Sequence, residues 1–236
     1  MKRTMIAQAR ADEPVRIEGF LEHVRNTRYM AFLVVRDRSG SVQATIEKVN
    51  HPEWSELLDT LTTESVVSIE GTLRENPQVK LGGRELIPTR LEVLSLAAAL
   101  PLTKDANIDT RMDYRWLDLR GEKERLLFEV QTCLVCAMRD FLLQREFLEI
   151  HTPKLIAAAS ESGADVFEVG YFDRKAYLAQ SPQFYKQMAM AAGFERIFET
   201  GPVFRAEKSY TNRHTTEFTG FDLEISYIES FHDVMT

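Results

Sequence analysis

Short segments in which hydrophobic and polar residues alternate fill the first hundred positions of the chain. Successive side chains of a β-strand point to opposite faces, so this alternation predicts strands with one buried face. We predict strands over residues 15–24, 30–35, 42–47, 66–73 and 85–94. Residues 52–61 instead show helical spacing, with Trp54 and Leu58 on one side and His51 as a candidate cap. This half of the chain therefore predicts a small unit of five strands and one helix.

Five strands with a helix after the third are typical of the OB-fold, a small barrel whose sheet face binds single-stranded nucleic acid. Arg25, Arg28, Tyr29 and Phe32 lie close together in the sequence, and Gln43 follows in the third predicted strand. Aromatic rings stack on splayed bases while guanidinium and amide groups hydrogen-bond to them, so this chemistry suits RNA. The residues alone equally allow a core position for Phe32 and solvated arginines, and that alternative stays open.

A strong helical periodicity runs through residues 122–145. Apolar side chains recur there at steps of three and four, which predicts an amphipathic helix with one buried stripe. The stripe comprises Leu127, Val130, Leu134, Ala137 and Phe141. Cys133 and Cys136 lie in this helix, where we expect a reduced pair in the core; a redox pair or half of a metal site is the alternative. Residues 147–153 then predict a strand that ends at its final proline.

Two further strands joined by a polar loop are predicted between residues 198 and 227. In the first, over residues 203–207, Arg205 and Glu207 share one face. In the second, the predicted apolar face consists of Phe221, Leu223, Ile225 and Tyr227, and the opposite face of Phe218, Gly220, Asp222, Glu224 and Ser226. A glycine on that second face leaves room for a small molecule, and charges are costly to bury there without a ligand. A ligand site and a solvated hairpin are both compatible with these residues.

The composition restricts the function classes without choosing among them. With 236 residues, 44% of them hydrophobic and 28% charged, the chain resembles soluble proteins and has room for one large or two modest domains. The net charge of −7 does not favour general nucleic-acid binding, so any RNA contact must use local basic patches. The N-terminus has no apolar run that fits a signal peptide, and no segment is long enough to span a membrane. We therefore expect a cytoplasmic protein without a membrane partner.

The order of residues in the predicted hairpin is more specific than its chemistry. The string FRAE, a polar loop ending in RH, and then TEF-x-G-x-D-x-E resembles motif 2 of the class II aminoacyl-tRNA synthetases. The resemblance is to the subgroup of aspartyl, asparaginyl and lysyl enzymes, and most of all to its aspartyl members. The other stretches that are similar to this subgroup are F-L-x-x-R-D-x-x-G-x-V-Q from Phe32 (anticodon-binding domain), residues 109–120 (interdomain hinge), the helix, strand and proline up to Pro153 (motif 1), and QSPQ-x-x-K from Gln180 (amino-acid pocket). The resemblance thus extends over essentially the whole chain.

The resemblance implies an α+β architecture in three parts. Residues 1–99 would form an OB-fold barrel that binds the anticodon, and residues 100–121 a hinge linker. Residues 122–236 would form the first part of a class II catalytic domain with an antiparallel sheet. Because motif 1 forms the dimer interface in this family, the implied protein partner is a second copy bound through residues 122–153.

The resemblance also implies an ATP site on the hairpin. Arg205 would be the catalytic residue, since it would bridge the attacking carboxylate and the α-phosphate. Glu207 would accept a hydrogen bond from the adenine amino group, and Phe218 would stack on the adenine. Arg213 and His214 would contact the distal phosphates. Mg²⁺ is implied as the companion of the triphosphate.

For the amino acid, the resemblance implies a pocket for L-aspartate. The groups that would hold its backbone, ammonium group and reacting carboxylate are Glu161, Ser181, Gln183, Arg205 and Asp222. Glu161 belongs to a small-residue loop that resembles the flipping loop of the family, with Ser162 where a glycine is frequent. Lys186 would pair with the side chain of aspartate, and asparaginyl enzymes lack a lysine at this point. That position therefore predicts aspartate rather than asparagine.

The implied RNA partner is the tRNA for aspartate, with the tRNA for asparagine left open. Phe32 would stack on an anticodon base and Gln43 would hydrogen-bond to it, with Arg25 and Arg28 beside them. One departure stands out: the subgroup often has glycines before the aromatic residue, whereas this chain reads NTRYM over residues 26–30.

The implied reaction is the activation of L-aspartate by ATP to aspartyl-adenylate, followed by transfer to tRNA. Motif 3 and the acidic metal ligands of the family are not found up to Thr236, so we expect them beyond that residue. On this reading the chain is an incomplete piece of the enzyme and inactive alone. The alternatives are a truncated relative that binds tRNA or dimerises without catalysis, and an asparaginyl enzyme.

Overall fold

The alternating segments of the first hundred residues form five strands that close into a barrel. The structure is a computed structural model and describes residues 1–103, 105–160, 165–208, 211 and 213–235. The strands are β1 (Pro14–Asn26), β2 (Met30–Asp37), β3 (Gly40–Glu47), β4 (Val66–Glu75) and β5 (Arg84–Ser95). Their order is β1-β2-β3-β5-β4, and only β3 and β5 pair in parallel. The OB-fold prediction is confirmed, and each strand is longer than predicted because ladder pairing continues past the alternating residues.

The barrel core is made by the inward side chains of all five strands. Along β2, buried and half-buried residues alternate at every position, as the pattern predicts. Each buried Val, Leu or Ile contributes about 1.5–3 kcal/mol relative to an exposed position. The predicted helix at residues 52–61 is a 3₁₀ turn (Pro52–Trp54) followed by α1 (Ser55–Thr60), and Leu58 joins the core. His51 does not cap it with its side chain; its ring stacks on Trp54, with 3.9 Å between centroids.

The turn between β2 and β3 is fixed by a buried carboxylate. Asp37 accepts hydrogen bonds from the backbone N–H of Ile6 at 2.8 Å and from the N–H and hydroxyl of Ser39, both at 2.6 Å. The register therefore closes with Asp37 opposite Gly40. The two strands that carry Phe32 and Gln43 are held together at this end.

The predicted hinge segment contains two short helices, α2 (Ile108–Asp113) and α3 (Arg115–Asp118). Asn107 caps α2 by accepting a hydrogen bond from Thr110 N at 2.9 Å. Asp118 accepts hydrogen bonds from Arg111 and Arg115. The chain divides at this point into two units, the first ending at Asp118 and the second beginning at Leu119.

The second unit contains two three-stranded sheets and three helices within its described residues. Its elements are α4 (Glu122–Leu143), β6 (Leu148–Glu149), β7 (Leu155–Ile156), β8 (Glu168–Tyr171), β9 (Arg174–Leu178), α5 (Gln183–Ala191), β10 (Arg196–Phe204), β11 (Glu217–Ile225) and α6 (His232–Met235). One sheet has the order β11-β10-β6 and the other β7-β9-β8. β10 and β11 are antiparallel as predicted, but the strand predicted over residues 203–207 instead ends at Phe204, because pairing stops after the hydrogen bond from Arg205 N to Thr216 O. β6 joins β10 in parallel. The predicted strand at residues 147–153 is shorter because Thr152 donates its N–H to the side chain of Glu199 instead of to a strand.

The register of β10 and β11 separates an apolar face from a polar one. Phe198 stacks with Phe221 at 5.6 Å between centroids, and with Leu142, Phe147 and Ile225 they form the core of this unit. Tyr227 was predicted on the apolar face, and that prediction is wrong. It lies beyond β11 with a φ of 57° and is 90% exposed, because the backbone leaves the extended conformation there.

The helix α4 has the predicted length but not the predicted burial. Leu142 near its C-terminal end is its buried residue, while the predicted stripe is exposed at Leu127, Val130, Leu134 and Phe141. Cys133 and Cys136 are free and exposed, so the expectation of a core pair is wrong. The physical reason is that only the last turn of α4 packs on the β10 and β11 sheet within the described part of this unit.

Candidate active site and nucleic-acid groove

Two glycines face each other across β10 and β11 and keep the polar face of this hairpin open. Gly201 pairs with Gly220 in the register. A Cβ added at Gly220 would lie 3.0 Å from Oδ2 of Asp222, and one at Gly201 would lie 3.2 Å from Oε1 of Glu199. The face thus lacks a side chain at Gly220, as predicted, and also at the paired Gly201. Larger residues here would push into the carboxylates that line this face.

Lys186 is buried against this face although it is carried by a helix. Its side chain comes from α5 and the residue is only 6% exposed. The ammonium nitrogen lies 3.3 Å from Oδ1 of Asp222, 3.2 Å from Oε2 of Glu224 and 3.4 Å from the backbone oxygen of Leu223. A lysine has three N–H donors, so each can be matched with one of these acceptors. The structure thus brings together Lys186 and Asp222, two of the six predicted aspartate-binding residues.

Arg205 lies just past the end of β10, over an aromatic ring. Its backbone N–H donates to the carbonyl of Thr216 at 2.9 Å, which extends the pairing by one residue beyond Phe204. Its guanidinium carbon is 5.5 Å from the centroid of Phe218. The Nε–H is buried, and no described residue accepts its hydrogen bond. A buried donor without an acceptor is unfavourable, so this position suits an anionic ligand.

The remaining predicted residues occupy less specific positions. The helix α5 begins at Gln183, and Pro182 before it has a non-helical ψ of 15°. Ser181 Oγ accepts a hydrogen bond from the N–H of Gln183 at 3.3 Å. Glu207 is half-buried. Glu161 lies outside the described residues.

Two predicted phosphate contacts lie on the polar loop before β11. Arg213 and His214 are exposed, and Nδ1 of His214 is 2.7 Å from the hydroxyl of Thr211. The structure does not bury these two residues with the rest of the site.

A groove of about 590 Å³ lies on the barrel of the first unit. It is lined by Met30, Phe32, Gln43, Thr45, Glu47, Asn76, Gln78, Val79, Lys80, Leu81 and Glu85. Phe32 is half-buried on the outer side of β2, and the guanidinium of Arg25 lies 5.7 Å from its ring centroid. Gln43 donates to the hydroxyl of Thr45 at 3.2 Å. Because Phe32 faces this groove, its alternative place in the core is excluded.

Two family models match the chain. The model described as tRNA synthetases class II (D, K and N) matches residues 107–236, and the OB-fold nucleic acid binding domain matches residues 15–94. The chain belongs to the class II tRNA synthetases of the D, K and N group.

The curated relatives that match this chain are named as ligases of the same family. The chain is 48% identical to an aspartate–tRNA(Asp/Asn) ligase of Methanopyrus kandleri, with 98% of this chain and 54% of the relative covered. It is 41% identical to an aspartate–tRNA(Asp) ligase of Picrophilus torridus, covering 99% of this chain and 56% of the relative. The chain thus spans about half the length of these curated relatives.

Solved structures share the fold. An asparaginyl-tRNA synthetase of Pyrococcus horikoshii, complexed with asparaginyl-adenylate, matches with a TM-score of 0.93 and 32% identity over 100% of this chain and 55% of that one. A putative aspartyl-tRNA synthetase of Leishmania major matches with a TM-score of 0.85 and 37% identity over 95% of this chain and 47% of that one. Since both kinds of enzyme have this fold, the fold does not distinguish aspartate from asparagine.

The sequence reasoning missed an ion pair between a buried glutamate, Glu199, and the half-buried Lys154. Glu199 is 2% exposed and accepts hydrogen bonds from Lys154 Nζ at 2.8 Å and from the N–H and hydroxyl of Thr152 at 2.9 and 2.7 Å. Burial opposes ionisation, but the hydrogen bonds from Lys154 and Thr152 and the lysine's charge outweigh it and lower the pKa of Glu199. Glu199 lies opposite Asp222 in the register, on the same face as Arg205. Side chains alternate faces along a strand, so extending this alternation back from Arg205 could have identified Glu199.

The groove of the synthetase chain also contains a carboxylate that was not predicted. Glu85 accepts hydrogen bonds from Asn76 Nδ2 at 2.7 Å and from the hydroxyl of Thr45 at 2.5 Å. It reaches Gln43 through the parallel pairing of β3 and β5. β3 and β5 pair in parallel although Thr45 and Glu85 are 40 residues apart in the sequence. The local sequence pattern does not show which strands pair, so it could not place Glu85 in the groove.

The described part of the chain contains neither a cluster of three or more metal-ligating side chains nor a helix that could span a membrane. Within that part, no group of three or more His, Cys, Asp and Glu side chains is arranged to hold a metal ion. Asp222 and Glu224 share the cation of Lys186 instead. No described helix is long and apolar enough to cross a membrane.

Proposed function

We propose that this chain supplies the aspartate pocket, the ATP-binding hairpin and the anticodon-binding barrel of an aspartate–tRNA ligase. The observation that carries the proposal is the buried ammonium of Lys186 beside a face kept open by Gly201 and Gly220. A buried cation favours a ligand that carries a carboxylate over one that carries an amide. The names of the curated relatives support the same amino acid.

In the proposed pocket, the side-chain carboxylate of aspartate pairs with Lys186 and its ammonium group with Asp222. Since the donors of Lys186 already face Asp222, Glu224 and Leu223 O, the incoming carboxylate takes over one of these contacts. Glu224 is the acceptor that we expect to yield, because Asp222 is then needed by the substrate ammonium. Glu161, Ser181 and Gln183 complete the amino-acid site in this proposal.

ATP binds on the same face at the other end of the hairpin in this proposal. Phe218 stacks on the adenine, Glu207 accepts from its amino group, and Arg213 and His214 contact the distal phosphates. The Nε–H of Arg205, for which no described residue is an acceptor, supports a contact to the α-phosphate. The aspartate carboxylate then attacks the α-phosphorus in line, pyrophosphate leaves, and the aspartyl group passes from the adenylate to the terminal ribose of tRNA.

Positioning and charge stabilisation carry this chemistry, because phosphoryl and acyl transfer of this kind need no covalent group from the protein. Arg205 acts by neutralising charge that develops on the α-phosphate oxygens. Mg²⁺ accompanies ATP in the family, and the described residues contain no group of three or more His, Cys, Asp and Glu side chains that could hold a metal ion by themselves. No step proposed for these residues depends on the ion.

The barrel binds the anticodon in the proposed enzyme. Phe32 stacks on a base in the groove, and Gln43 hydrogen-bonds to that base, flanked by Arg25 and Arg28. The stacking of Arg25 on Phe32 supports this, since a guanidinium next to an aromatic ring suits a nucleobase and its phosphate. We assign residues 1–99 to this role, 100–121 to the hinge and 122–236 to catalysis. We also propose a cytoplasmic location, where tRNA is charged.

The exposed stripe of α4 supports a homodimer through residues 122–153. Leu127, Val130, Leu134 and Phe141 lie exposed along one helix, and contiguous apolar surface of this kind marks an interface. Sedimentation velocity of the chain and of a Leu134→Asp variant tests the dimer. A concentration-dependent dimer that the variant loses agrees with the proposal, and a monomer at all concentrations contradicts it.

Binding of two ligands by one preparation of residues 1–236 tests the function. We expect calorimetric binding of a nonhydrolysable aspartyl-adenylate analogue, and separate binding of an RNA hairpin that carries the aspartate anticodon. Binding of the RNA without the analogue would favour the alternative of a tRNA-binding protein without catalysis. Binding of neither ligand would contradict the proposed function.

A further inference from the structure

The turn that joins β1 to β2 is closed by hydrogen bonds and has an exposed aromatic ring at its tip. Thr27 N donates to the carbonyl of Met30 at 2.9 Å, the Thr27 hydroxyl donates to the same carbonyl at 2.7 Å, and Met30 N donates back to that hydroxyl at 3.2 Å. Lys48 N donates to the carbonyl of Tyr29 at 3.0 Å, which ties the turn to the end of β3. Backbone groups on both sides of the tip are therefore fixed before any ligand arrives.

The side chain at the tip is an exposed aromatic ring stacked with a guanidinium. Tyr29 is 68% exposed, and the guanidinium carbon of Arg28 lies 5.1 Å from its ring centroid. A second arginine lies against a second ring nearby: the guanidinium carbon of Arg25 is 5.7 Å from the ring centroid of Phe32. Two arginine–aromatic pairs thus stand next to each other on this edge of the barrel, one inside the groove and one outside it.

The second pair continues the line of the groove. Met30 and Glu47 line the groove and pair with each other in the register of β2 and β3. Tyr29 and Lys48 are the next residues of the two strands and remain joined by a backbone hydrogen bond. A single strand of RNA whose base stacks on Phe32 would reach Tyr29 by extending past Met30.

Charge at this edge favours a polyanion although the whole chain is acidic. Arg25, Arg28 and Lys48 lie around the tip, whereas the net charge of the chain is −7. Two nearby carboxylates are already engaged by amides, since Asn26 donates to Asp59 at 2.6 Å and Asn50 donates to Glu47 at 2.9 Å. Local cations beside an exposed ring are the combination that binds single-stranded nucleic acid through backbone and base faces together.

We infer that Tyr29, backed by Arg28, is a second stacking platform that receives a base next to the anticodon in the loop of the tRNA. The inference rests on the proposed RNA-binding role of the barrel. Stacking tolerates any base because every base has a flat face, so the platform adds affinity without adding sequence preference. The ring is the active group, and its hydroxyl is dispensable.

Fluorescence anisotropy with residues 1–236 tests the platform. The probes are a labelled RNA hairpin with the aspartate anticodon and two copies that lack one base each, on the 5′ or the 3′ side of the anticodon. The protein variants are Tyr29→Ala, Tyr29→Phe and Phe32→Ala. Tyr227→Ala, which removes an exposed tyrosine from the other unit, is the matched control. Thermal melts check that each variant is folded. We expect the turn to survive substitution of Tyr29, because its hydrogen bonds come from Thr27 and backbone groups and not from the Tyr29 side chain.

We expect Tyr29→Ala to weaken binding of the complete hairpin at least about fivefold, the lower end for loss of one stacked base. Tyr29→Phe and Tyr227→Ala should bind like the unmodified chain. The loss caused by Tyr29→Ala should disappear with one of the two abasic hairpins and persist with the other. An unchanged affinity of Tyr29→Ala, or an equal loss with all three hairpins, would overturn the platform while leaving the role of Phe32 standing. If the unmodified chain binds no hairpin, the proposed RNA-binding function fails, and the platform fails with it.

Discussion

The ammonium of Lys186 lies 3.3 Å from Oδ1 of Asp222, so a helix residue and a strand residue 36 positions apart meet in an ion pair. Glu224 approaches the same nitrogen at 3.2 Å, and Leu223 O accepts at 3.4 Å. One buried cation therefore faces two carboxylates and a carbonyl before any substrate is present. An amino acid with a carboxylate side chain must compete with these acceptors, and this competition is testable.

Neutralising Glu224 should strengthen binding of aspartate. In Glu224→Gln, the amide accepts more weakly than a carboxylate, so Lys186 is freer to bind an incoming carboxylate. We expect affinity for the aspartyl-adenylate analogue to rise by about threefold or more, which corresponds to ~0.7 kcal/mol. Calorimetry measures this directly. Glu217→Gln makes the same charge change at an exposed site on β11 and should have no effect; equal gains in both variants would contradict the competition.

Replacing the guanidinium of Arg205 should weaken nucleotide binding even when its charge is kept. Arg205→Lys loses the Nε donor and the planar contact with Phe218. We expect affinity for ATP to fall about tenfold, or ~1.4 kcal/mol, in equilibrium dialysis. Arg174→Lys, at an exposed arginine of the same unit, is the control and should bind ATP normally. Unchanged binding by Arg205→Lys would remove Arg205 from the nucleotide site.

Removing the ring of Phe32 should weaken RNA binding and leave the amino-acid site intact. The loss of one stacked base costs ~1–3 kcal/mol. Phe32→Ala is therefore expected to bind the anticodon hairpin at least about fivefold more weakly in a filter-binding assay. Affinity for the aspartyl-adenylate analogue in the same preparation is the internal control. A variant that binds RNA normally, or loses both ligands together, would contradict the base-stacking role.

The ion pair between the buried Glu199 and the half-buried Lys154 should make the second unit sensitive to acid. The pKa of Glu199 is lowered in the folded chain, because hydrogen bonds from Lys154 and Thr152 and the lysine's charge outweigh the effect of burial. A lowered folded pKa stabilises the fold above the unfolded value of about 4.3. That stability is lost as the pH falls through the folded pKa.

Thermal unfolding at neutral and acidic pH tests this coupling. We expect Glu199→Gln to lower stability by about 1–3 kcal/mol at neutral pH, because Lys154 loses its charged partner. The difference from the unmodified chain should shrink below about pH 4. Glu195→Gln, an exposed glutamate just before β10, should match the unmodified chain throughout. A difference that is constant with pH would show that Glu199 does not act through its charge.

Local patterns predicted the elements but not the contacts that make the sites. The alternation of apolar and polar residues placed all five barrel strands, because strand faces follow from a period of two, but it left open whether Phe32 lies in the core or on the outer surface with Gln43. Glu85 was not predicted, since it reaches the groove through the parallel pairing of β3 and β5. A parallel pairing depends on how the barrel closes, and the sequence of a strand does not show which other strand it will pair with.

The burial of Lys186 shows the same limit in the second unit. A lysine on a helix is ordinarily exposed, and only the carboxylates of β11 make its burial possible. The placement of Tyr227 on the apolar face was wrong for a different reason. The alternation was extended past Ile225, where β11 ends, and the backbone at Tyr227 has a positive φ. Strand ends depend on where pairing stops, and the side-chain pattern does not show that point.

The preference of residues 1–236 for the aspartyl over the asparaginyl form of the adenylate analogue, with and without Lys186, tests the central claim most directly. In the unmodified chain, we predict at least about tenfold tighter binding of the aspartyl analogue, as expected for a charge-assisted hydrogen bond. In Lys186→Met that preference should vanish through loss of aspartyl binding alone, while Lys175→Met, at an exposed lysine of β9, retains it. Equal binding of the two analogues by the unmodified chain, or a preference that survives in Lys186→Met, would contradict the account.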